Sequence, residues 1–246
     1  MASLRIDWVH TIKKLRGDLM KNKKLRKILI IIVLVVAGVI GYEILFKKDS
    51  NHGANPIPPA TQDFDVSSLN SQLVLIKHTS TGYVNYGSGV VVYQDATKTY
   101  ILTNAHVLDN LGTIEVINGS LQVAAAVVTN SWDYVNDMVL ISVPRSDALT
   151  PVTFATSYSV GSLVIAAGYA NQVYDITAGL ITLITDSKIN SNASIQPGQS
   201  GSGLFNAEMK LVGLNKQYVV DGNGAWLSTI SIKVETIQAY LGAIFV

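Results

Sequence analysis

Three residues in separate stretches have the types that acyl-transfer chemistry requires. His106 lies in the stretch YILTNAHVL, where an apolar strand runs into a short polar turn that presents it. Asp137 stands at the entrance of the apolar strand NDMVLISV, and Ser200 lies in the glycine-rich turn IQPGQSGSGLF. A serine hydroxyl attacks a carbonyl only with the help of a base that is neutral near pH 7, which is histidine. A buried carboxylate fixes the tautomer of that base and stabilises the imidazolium. We therefore predict a catalytic triad of His106, Asp137 and Ser200.

The glycines of the Ser200 turn have a role of their own. Gly198 and Gly201 let the backbone bend so that N–H groups point at the oxyanion that develops on the substrate. We expect the N–H groups of Gly198 and Ser200 to form this oxyanion hole. We expect no metal site and no cofactor, because the four histidines are scattered and no acidic loop has ligand spacing.

Two other residues compete for the roles of base and carboxylate. His78 is the only other histidine in the strand-rich region, and it ends the first predicted strand there. An isolated histidine after a strand is more often a core or surface residue than a base. Asp133 competes with Asp137, although no apolar run follows it directly.

The residues from about 67 onward are dense in short apolar patterns separated by turn-forming residues. Many short strands with few helical stretches indicate an all-β sandwich or barrel. The segment Pro144–Tyr158 divides them into two halves, about 67–146 and 155–233, and helical spacing of apolar residues predicts a C-terminal helix over 234–246. The predicted strands are Leu73–Lys77, Gly89–Tyr93, Tyr100–Thr103, Val123–Val128, Met138–Val143, Leu163–Ala167, Ile176–Thr185, Leu211–Asn215 and Trp226–Ile232.

These stretches, in this order, make the sequence similar to the trypsin/chymotrypsin superfamily of serine proteases, and within it to the HtrA/Deg branch. The similarity covers most of residues 86–215, in the motifs YGSGVVV, YILTNAHVL, NDMVLISV, VGSLVIAAGY, ITAGLIT, NASIQPGQSGSGLF and LVGLN. The resemblance implies a chymotrypsin-like fold of two six-stranded β-barrels with the active site between them. It assigns His106, Asp137 and Ser200 to the family's histidine, aspartate and nucleophile.

The resemblance also places the base of the primary specificity pocket at Ser194, six residues before the nucleophile. Ser194 carries no charge, so we expect cleavage after uncharged, small or medium apolar residues. The chain departs from the family's Gly-Asn-Ser-Gly-Gly turn at Gln199 and Ser202, and from its usual Gly-Asn-Pro turn within 168–174. We expect no PDZ domain after the predicted helix.

A long apolar segment near the N-terminus follows a basic one. Residues 28–46 begin with the uncharged run ILIIIVLVVAGVIGY. These 19 residues, at about 1.5 Å each, nearly cross a hydrocarbon core of about 30 Å. Residues 1–27 hold nine Lys or Arg and two Asp. The positive-inside rule therefore predicts a transmembrane anchor at 28–46, with 1–27 in the cytoplasm and the rest outside a plasma membrane of bacterial type.

Two alternatives exist for this segment, a cleaved signal peptide and a buried core helix. No clear A-x-A cleavage site follows the apolar run, and the basic region before it is long for a signal peptide. The polar segment 47–66 contains three prolines and is typical of a semi-rigid linker. Residues 67–246 then form the predicted protease domain.

Charge and composition limit the partners of the chain. From residue 49 onward, seven Lys or Arg stand against fourteen Asp or Glu, so we expect no nucleic-acid partner. The chain has no cysteine, which excludes disulfides and thiolate metal sites. We expect protein or peptide substrates, a lipid bilayer around 28–46 and, from the family, a homo-oligomer.

Three functions are consistent with these features. The first is a membrane-anchored, extracytoplasmic serine endopeptidase that acts on unfolded or exported proteins. The second is a binding module that keeps the protease fold without catalysis, which the complete triad opposes. The third is a protease whose oxyanion turn, the turn that contains Gly198 and Ser200, becomes ordered only when a partner binds. The changes at Gln199 and in 168–174 leave this function open.

Overall fold

The computed structural model describes residues 65–108 and 112–245. Within these two ranges, no helix has both the length and the apolarity that are needed to cross a membrane. The predicted basic segment 1–27 and anchor 28–46 lie outside the described residues, as does all of the predicted linker 47–66 except its last two residues.

The first six strands close into a barrel in which every neighbouring pair is antiparallel, in the spatial order β1-β2-β3-β6-β5-β4. A one-turn helix, α1, leads into the first strand, and the 3-10 helix η1 follows the third. The elements are α1 Leu69–Gln72, β1 Leu73–Ser80, β2 Tyr83–Gln94, β3 Lys98–Thr103, η1 Ala105–Val107, β4 Thr113–Asn118, β5 Leu121–Val127 and β6 Val139–Pro144.

The next six strands close into a second antiparallel barrel, in the order β10-β11-β12-β9-β8-β7. The helix α2 follows its last strand directly and packs against β11 and β12. The elements are β7 Leu163–Ala170, β8 Val173–Ile184, β9 Lys188–Ser191, β10 Gly203–Phe205, β11 Leu211–Val220, β12 Trp226–Lys233 and α2 Val234–Ile244.

Some strands have one face in the core of their own barrel and the other in a second apolar cluster. This explains why their sequences are apolar without alternation. Along β6, Val139 and Ile141 point into the core of the first barrel, whereas Leu140 belongs to a different apolar cluster. Successive side chains on a strand face opposite sides, so a strand buried on both faces is a continuous apolar run. In β7, Val164 and Ile165 divide between two clusters in the same way.

This shared cluster, which we call the seam, joins the two barrels. It contains Val90 and Leu102 of the first barrel, Phe205 and Leu214 of the second, and Ile237 of α2, all with no exposed surface. The active-site elements of both barrels are therefore anchored in one packed core.

The two six-stranded barrels that the resemblance implies and the C-terminal helix that the apolar spacing predicts are confirmed. Each of the nine predicted strands overlaps a strand of the structure. The prediction omits β4, β9 and β10, because their sequences TIEVIN, KINS and GLF are short, polar or glycine-containing. Each of these three strands pairs with one strand that adjoins it in sequence and with one that is distant, namely β1 for β4, β12 for β9 and β7 for β10.

Candidate active site

The loop before β6 holds Asp137 in a left-handed backbone conformation, with φ 64°. Aspartate adopts this conformation more readily than most residues. The loop is shaped by Asp133, whose Oδ1 accepts hydrogen bonds from the backbone N–H groups of Val135 (3.1 Å) and Asn136 (2.9 Å). Its Oδ2 accepts one from the Asn136 amide (2.7 Å). Asp133, which competes with Asp137 in the sequence, therefore stabilises the loop that presents Asp137.

Both carboxylate oxygens of Asp137 bind His106. Oδ1 accepts a hydrogen bond from the His106 backbone N–H at 2.9 Å, and Oδ2 lies 2.8 Å from the ring nitrogen Nδ1. The backbone carbonyl of Asp137 accepts two more, from the Ala105 N–H (3.2 Å) and the Asn104 side-chain amide (3.0 Å). The turn at η1 is thus attached to the Asp137 loop by four hydrogen bonds, and this attachment fixes the position of the imidazole.

A cation also approaches this carboxylate. The Lys216 ammonium lies 3.5 Å from Asp137 Oδ2. Burial by itself would raise the pKa of Asp137, but the hydrogen bonds from His106 and the charge of Lys216 together lower this pKa below its ordinary value of 3.8. Asp137 is therefore ionised at neutral pH, as a group that stabilises an imidazolium must be.

The turn before Ser200 has the sequence of a type II turn. Pro197 and Gly198 occupy its two central positions, and Gly198 has φ 96°, which this turn type requires at its third residue. The Gln199 N–H donates to the Gln196 carbonyl at 3.0 Å and closes the turn. The buried Gln199 side chain then accepts a hydrogen bond from the Gln196 N–H at 2.7 Å.

The two predicted oxyanion donors belong to peptides whose carbonyls are bound elsewhere. The carbonyl of the residue before Gly198 accepts from the Asn171 N–H at 2.9 Å, and that of the residue before Ser200 accepts from the Ser202 N–H at 3.0 Å. In a trans peptide the N–H points opposite to the carbonyl. Among residues 65–108 and 112–245, neither the Gly198 N–H nor the Ser200 N–H has an acceptor. Both are available to an oxyanion.

Ser200 and His106 line the same cavity, which has a volume of about 340 Å³. The Ser200 hydroxyl donates to the backbone carbonyl of Lys216 at 3.3 Å. Lys216 stands at an irregularity in the pairing of β11 with β12, where the ladder passes from Asn215 to Gln217. The cavity is also lined by Ile195, Gln196, Pro197, Lys216, Gln217 and Tyr218.

Neither Ser194, the predicted pocket residue, nor His78, the competing histidine, lines this cavity. Ser194 accepts a hydrogen bond from the Thr177 hydroxyl through its backbone carbonyl (2.6 Å) and does not line the cavity, whereas the next residue, Ile195, does. His78 is buried in β1, with its ring against Tyr83, and lines a separate cavity of about 350 Å³ together with Trp132.

A larger cavity in the described part of the chain does not contain the triad. This groove of about 690 Å³ lies on the second barrel, between residues 156–164 and 206–210. Its polar lining includes Glu208 and Lys210 but neither His106 nor Ser200. We take the smaller cavity as the candidate active site, because His106 and Ser200 both line it.

Two residues of the site were not predicted from the sequence. Ser88 in β2 donates its backbone N–H to the Ser200 carbonyl at 2.8 Å, and Lys216 approaches Asp137. The glycines that flank Ser88 in YGSGVVV reflect crowding within the first barrel, since a side-chain atom added at Gly87 or Gly89 would stand 2.5 Å from the side chain of Val107 or Ile101. No local pattern indicated Lys216.

Comparison with known proteins supports the protease interpretation of this geometry. A family model described as a trypsin-like peptidase domain matches residues 87–214, just over half of the chain. The chain is 30% identical over 155 residues to the periplasmic serine endoprotease DegP of Salmonella typhimurium, an alignment that covers 58% of this chain and 32% of that protein. It is 27% identical over 201 residues to a DegP-like periplasmic serine endoprotease of Rickettsia conorii, covering 75% of this chain and 38% of that one.

Solved structures show the same fold. The active form of the Rv3671c protease from M. tuberculosis superposes with a TM-score of 0.65 at 21% identity, covering 73% of this chain and 83% of that chain. A serine endoprotease from Yersinia pestis superposes with a TM-score of 0.63 at 22% identity, covering 73% and 64%. The chain spans about a third of the length of the curated relatives that it matches.

Proposed function

This chain belongs to the trypsin-like peptidase domain family, and from that membership we propose that it is a serine endopeptidase. Ser200 is the nucleophile, His106 the general base and then the general acid, and Asp137 the carboxylate that orients the base. The N–H groups of Gly198 and Ser200 form the oxyanion hole. The observation that supports the proposal most is the double attachment of His106 to Asp137, at 2.9 Å and 2.8 Å.

The reaction begins when the Ser200 hydroxyl turns from the Lys216 carbonyl to Nε2 of His106. The proton moves to Nε2 as the oxygen bonds to the substrate carbonyl carbon, and the oxyanion accepts hydrogen bonds from the two free amides. His106 then gives the proton to the leaving amine, the C–N bond breaks, and an acyl-enzyme remains. Water attacks this ester while His106 takes a proton from the water. The proton returns to Ser200 as the acid leaves.

The cavity beside Ser200 favours an uncharged residue before the cleaved bond. Among the described residues that line it, none is a carboxylate, and Lys216 is a cation. A substrate Lys or Arg would have no charged partner there. Ser194 remains our proposed residue for the base of the pocket, reached as a substrate side chain extends past Ile195.

We propose that the protease domain acts outside the cytoplasm and is held there by residues 28–46. The uncharged run in 28–46 and the excess of Lys and Arg before it support a single-pass anchor with a cytoplasmic N-terminus. Relatives of this chain are described as periplasmic. Unfolded or exported proteins near the membrane, as in protein quality control, are the proposed substrates, and a homo-oligomer is the proposed assembly.

A partner-gated form of the same enzyme is the second candidate. It is favoured by the hydrogen bond from Ser200 to the Lys216 carbonyl, because a hydroxyl that donates there is not donating to His106. In this form the site acts as a protein-binding surface until a partner or a substrate turns the hydroxyl toward the base.

The test uses the full chain, extracted with detergent from washed membranes, as wild type, Ser200→Ala and Ser202→Ala. Each is incubated with casein and with a fluorophosphonate probe. We expect the wild type to be labelled and to cut casein, and Ser200→Ala to do neither, because loss of a triad nucleophile costs on the order of 10⁶-fold in kcat. Ser202→Ala, a serine in the same turn, controls for the substitution and keeps its label.

The outcomes separate the candidates. Labelling without cleavage means a formed site with a narrow choice of substrates, and labelling that persists in Ser200→Ala contradicts the assigned nucleophile. Absence of both signals in the wild type contradicts an enzyme that is active by itself and is the result expected of the gated form without its partner. Mass spectrometry of the casein fragments reads the residue before each cut, and a predominance of Arg, Lys or Glu there contradicts the uncharged pocket. A chain that stays in the soluble fraction contradicts the anchor.

A further inference from the structure

Ser88 is a serine of the first barrel that contacts the oxyanion turn of the second. It lies in β2 with no exposed surface. Its hydroxyl donates to the Gly198 carbonyl at 2.9 Å and accepts from the Tyr169 N–H at 2.9 Å. Its backbone N–H donates to the Ser200 carbonyl at 2.8 Å. One residue therefore binds two carbonyls of the turn and one N–H of β7.

The Gly198 carbonyl belongs to the peptide that separates the two oxyanion donors. The N–H of this peptide, on Gln199, is held by the Gln196 carbonyl inside the turn. Its carbonyl is held by the Ser88 hydroxyl, which among the described residues is its one hydrogen-bond donor. A peptide bound at both ends cannot rotate, so the N–H groups of Gly198 and Ser200 on either side keep a fixed separation.

We infer that Ser88 is a positioning residue that sets the geometry of the oxyanion hole from the opposite barrel. The inference rests on the proposed function, because it concerns the same site. Donors fixed before the reaction stabilise an oxyanion without the cost of reorganisation. Ser88 supplies this fixation through its hydroxyl, which has to donate and accept at once.

The site around Ser88 accepts few other residues. Alanine would leave the Gly198 carbonyl and the Tyr169 N–H without this partner in a buried place. Gly168 also lies close to this hydroxyl, since a side-chain atom added at Gly168 would stand 3.0 Å from it. Serine meets both requirements.

The test compares Ser88→Ala with Ser131→Ala in the full chain. Ser131 is a matched control, because it is equally buried and its hydroxyl also donates to a carbonyl (Leu140, 3.0 Å) and accepts from an N–H (Leu140, 3.3 Å). It makes neither of the contacts with the oxyanion turn. Both variants are measured for thermal unfolding, for kcat and KM on a peptide ester, and for binding of a peptide boronate that forms a tetrahedral adduct.

We expect Ser88→Ala to lower kcat about tenfold or more with KM little changed, and to weaken boronate binding by a similar factor. The effect should stay below the 10²–10³-fold loss that follows removal of a donor outright. Ser131→Ala should lose comparable thermal stability and keep its kcat. A kcat in Ser88→Ala equal to that of Ser131→Ala overturns the inference.

A second measurement is independent of activity. Backbone amide hydrogen exchange at Gln199 reports whether the peptide between the donors is held. We expect exchange to be about tenfold faster in Ser88→Ala than in the wild type or Ser131→Ala, and unchanged exchange overturns the positioning role. If the wild type proves inactive, the proposed function fails while this exchange still judges Ser88.

Discussion

At the scale of single residues, Asp137 binds the backbone N–H of His106 with one oxygen and the imidazole with the other. A carboxylate held in this way cannot turn about its last bond, so the imidazole is held as well. Because the carboxylate accepts at Nδ1, that nitrogen carries the proton and Nε2 is left as the basic atom. Asp137 thus fixes both the orientation and the tautomer of the His106 ring.

The charge of Lys216 contributes to the low pKa of Asp137, so Lys216→Met should raise that pKa. Methionine keeps an unbranched apolar stem and removes the charge. The measurement is a ¹³C NMR titration of the Asp137 carboxyl group. Lys188→Met, at an exposed lysine of β9, is the control and should leave the titration unchanged.

The same variant has a consequence for stability at low pH. The pKa of Asp137 is lower in the folded chain than its ordinary value of 3.8, so ionised Asp137 stabilises the fold above that pH. This contribution is lost as the pH falls through the folded-state pKa. With a higher folded-state pKa, Lys216→Met should lose less free energy of unfolding on acidification. An identical Asp137 titration in Lys216→Met and the wild type would contradict both expectations.

At the scale of elements, the oxyanion turn is a type II turn that is enclosed by neighbouring elements. A side-chain atom added at Gly198 would stand 2.7 Å from the Tyr169 carbonyl and 3.1 Å from the Asn171 N–H. The tip of the β7–β8 hairpin therefore leaves no space for a side chain at Gly198. Asn171 and Gln172, at φ 47° and 70°, form the two-residue tip.

Gly198→Ala should disable the site while leaving the fold intact. Alanine at φ 96° is strained, and its methyl group would contact the hairpin, so the turn must shift and carry the Gly198 N–H out of place. We expect kcat to fall at least about tenfold, with the far-UV circular dichroism spectrum unchanged. Gly222→Ala, where an added methyl group meets open space, is the control. Wild-type kcat in Gly198→Ala would argue against this turn as the oxyanion hole.

A feature of this chain could be predicted from the sequence when residues close to it in the sequence indicate it. The triad candidates were predictable because each adjoins an apolar strand or a glycine turn within ten residues of sequence. The longer strands were predictable from apolar runs, whereas β10 consists of three residues that pair with β7 and β11. Contacts such as Ser88 to Gly198, which are 110 positions apart, leave no periodic pattern in a single sequence.

At the scale of the whole molecule, the seam makes the two barrels one folding unit. Phe205 and Ile237 are fully buried in a cluster that also holds Val90 and Leu102 of the first barrel. The chain contains no cysteine, so no disulfide supplements this core. Loss of packing in the seam should therefore lower the stability of both barrels equally.

Ile237→Ala should lower the free energy of unfolding by about 2–5 kcal/mol, because it leaves a cavity in the seam. Two tryptophans report the barrels separately, Trp132 in the first and Trp226 in the second. In variants that retain only one of these two and also lack Trp8, the third tryptophan of the chain, fluorescence in urea should give coincident midpoints, both shifted by Ile237→Ala. Val135→Ala, at a residue 91% exposed, is the control. Midpoints that separate would contradict a single folding unit.

For the proposed protease, the division of the site between the barrels would also protect against self-digestion. His106 and Asp137 come from the first barrel and Ser200 from the second, with Ser88 reaching across to the turn. In a copy whose barrels are not packed against each other, the proposed base and the proposed nucleophile are apart. Such a copy would be a potential substrate but not a protease, so the proposed activity requires a molecule that has completed its own fold.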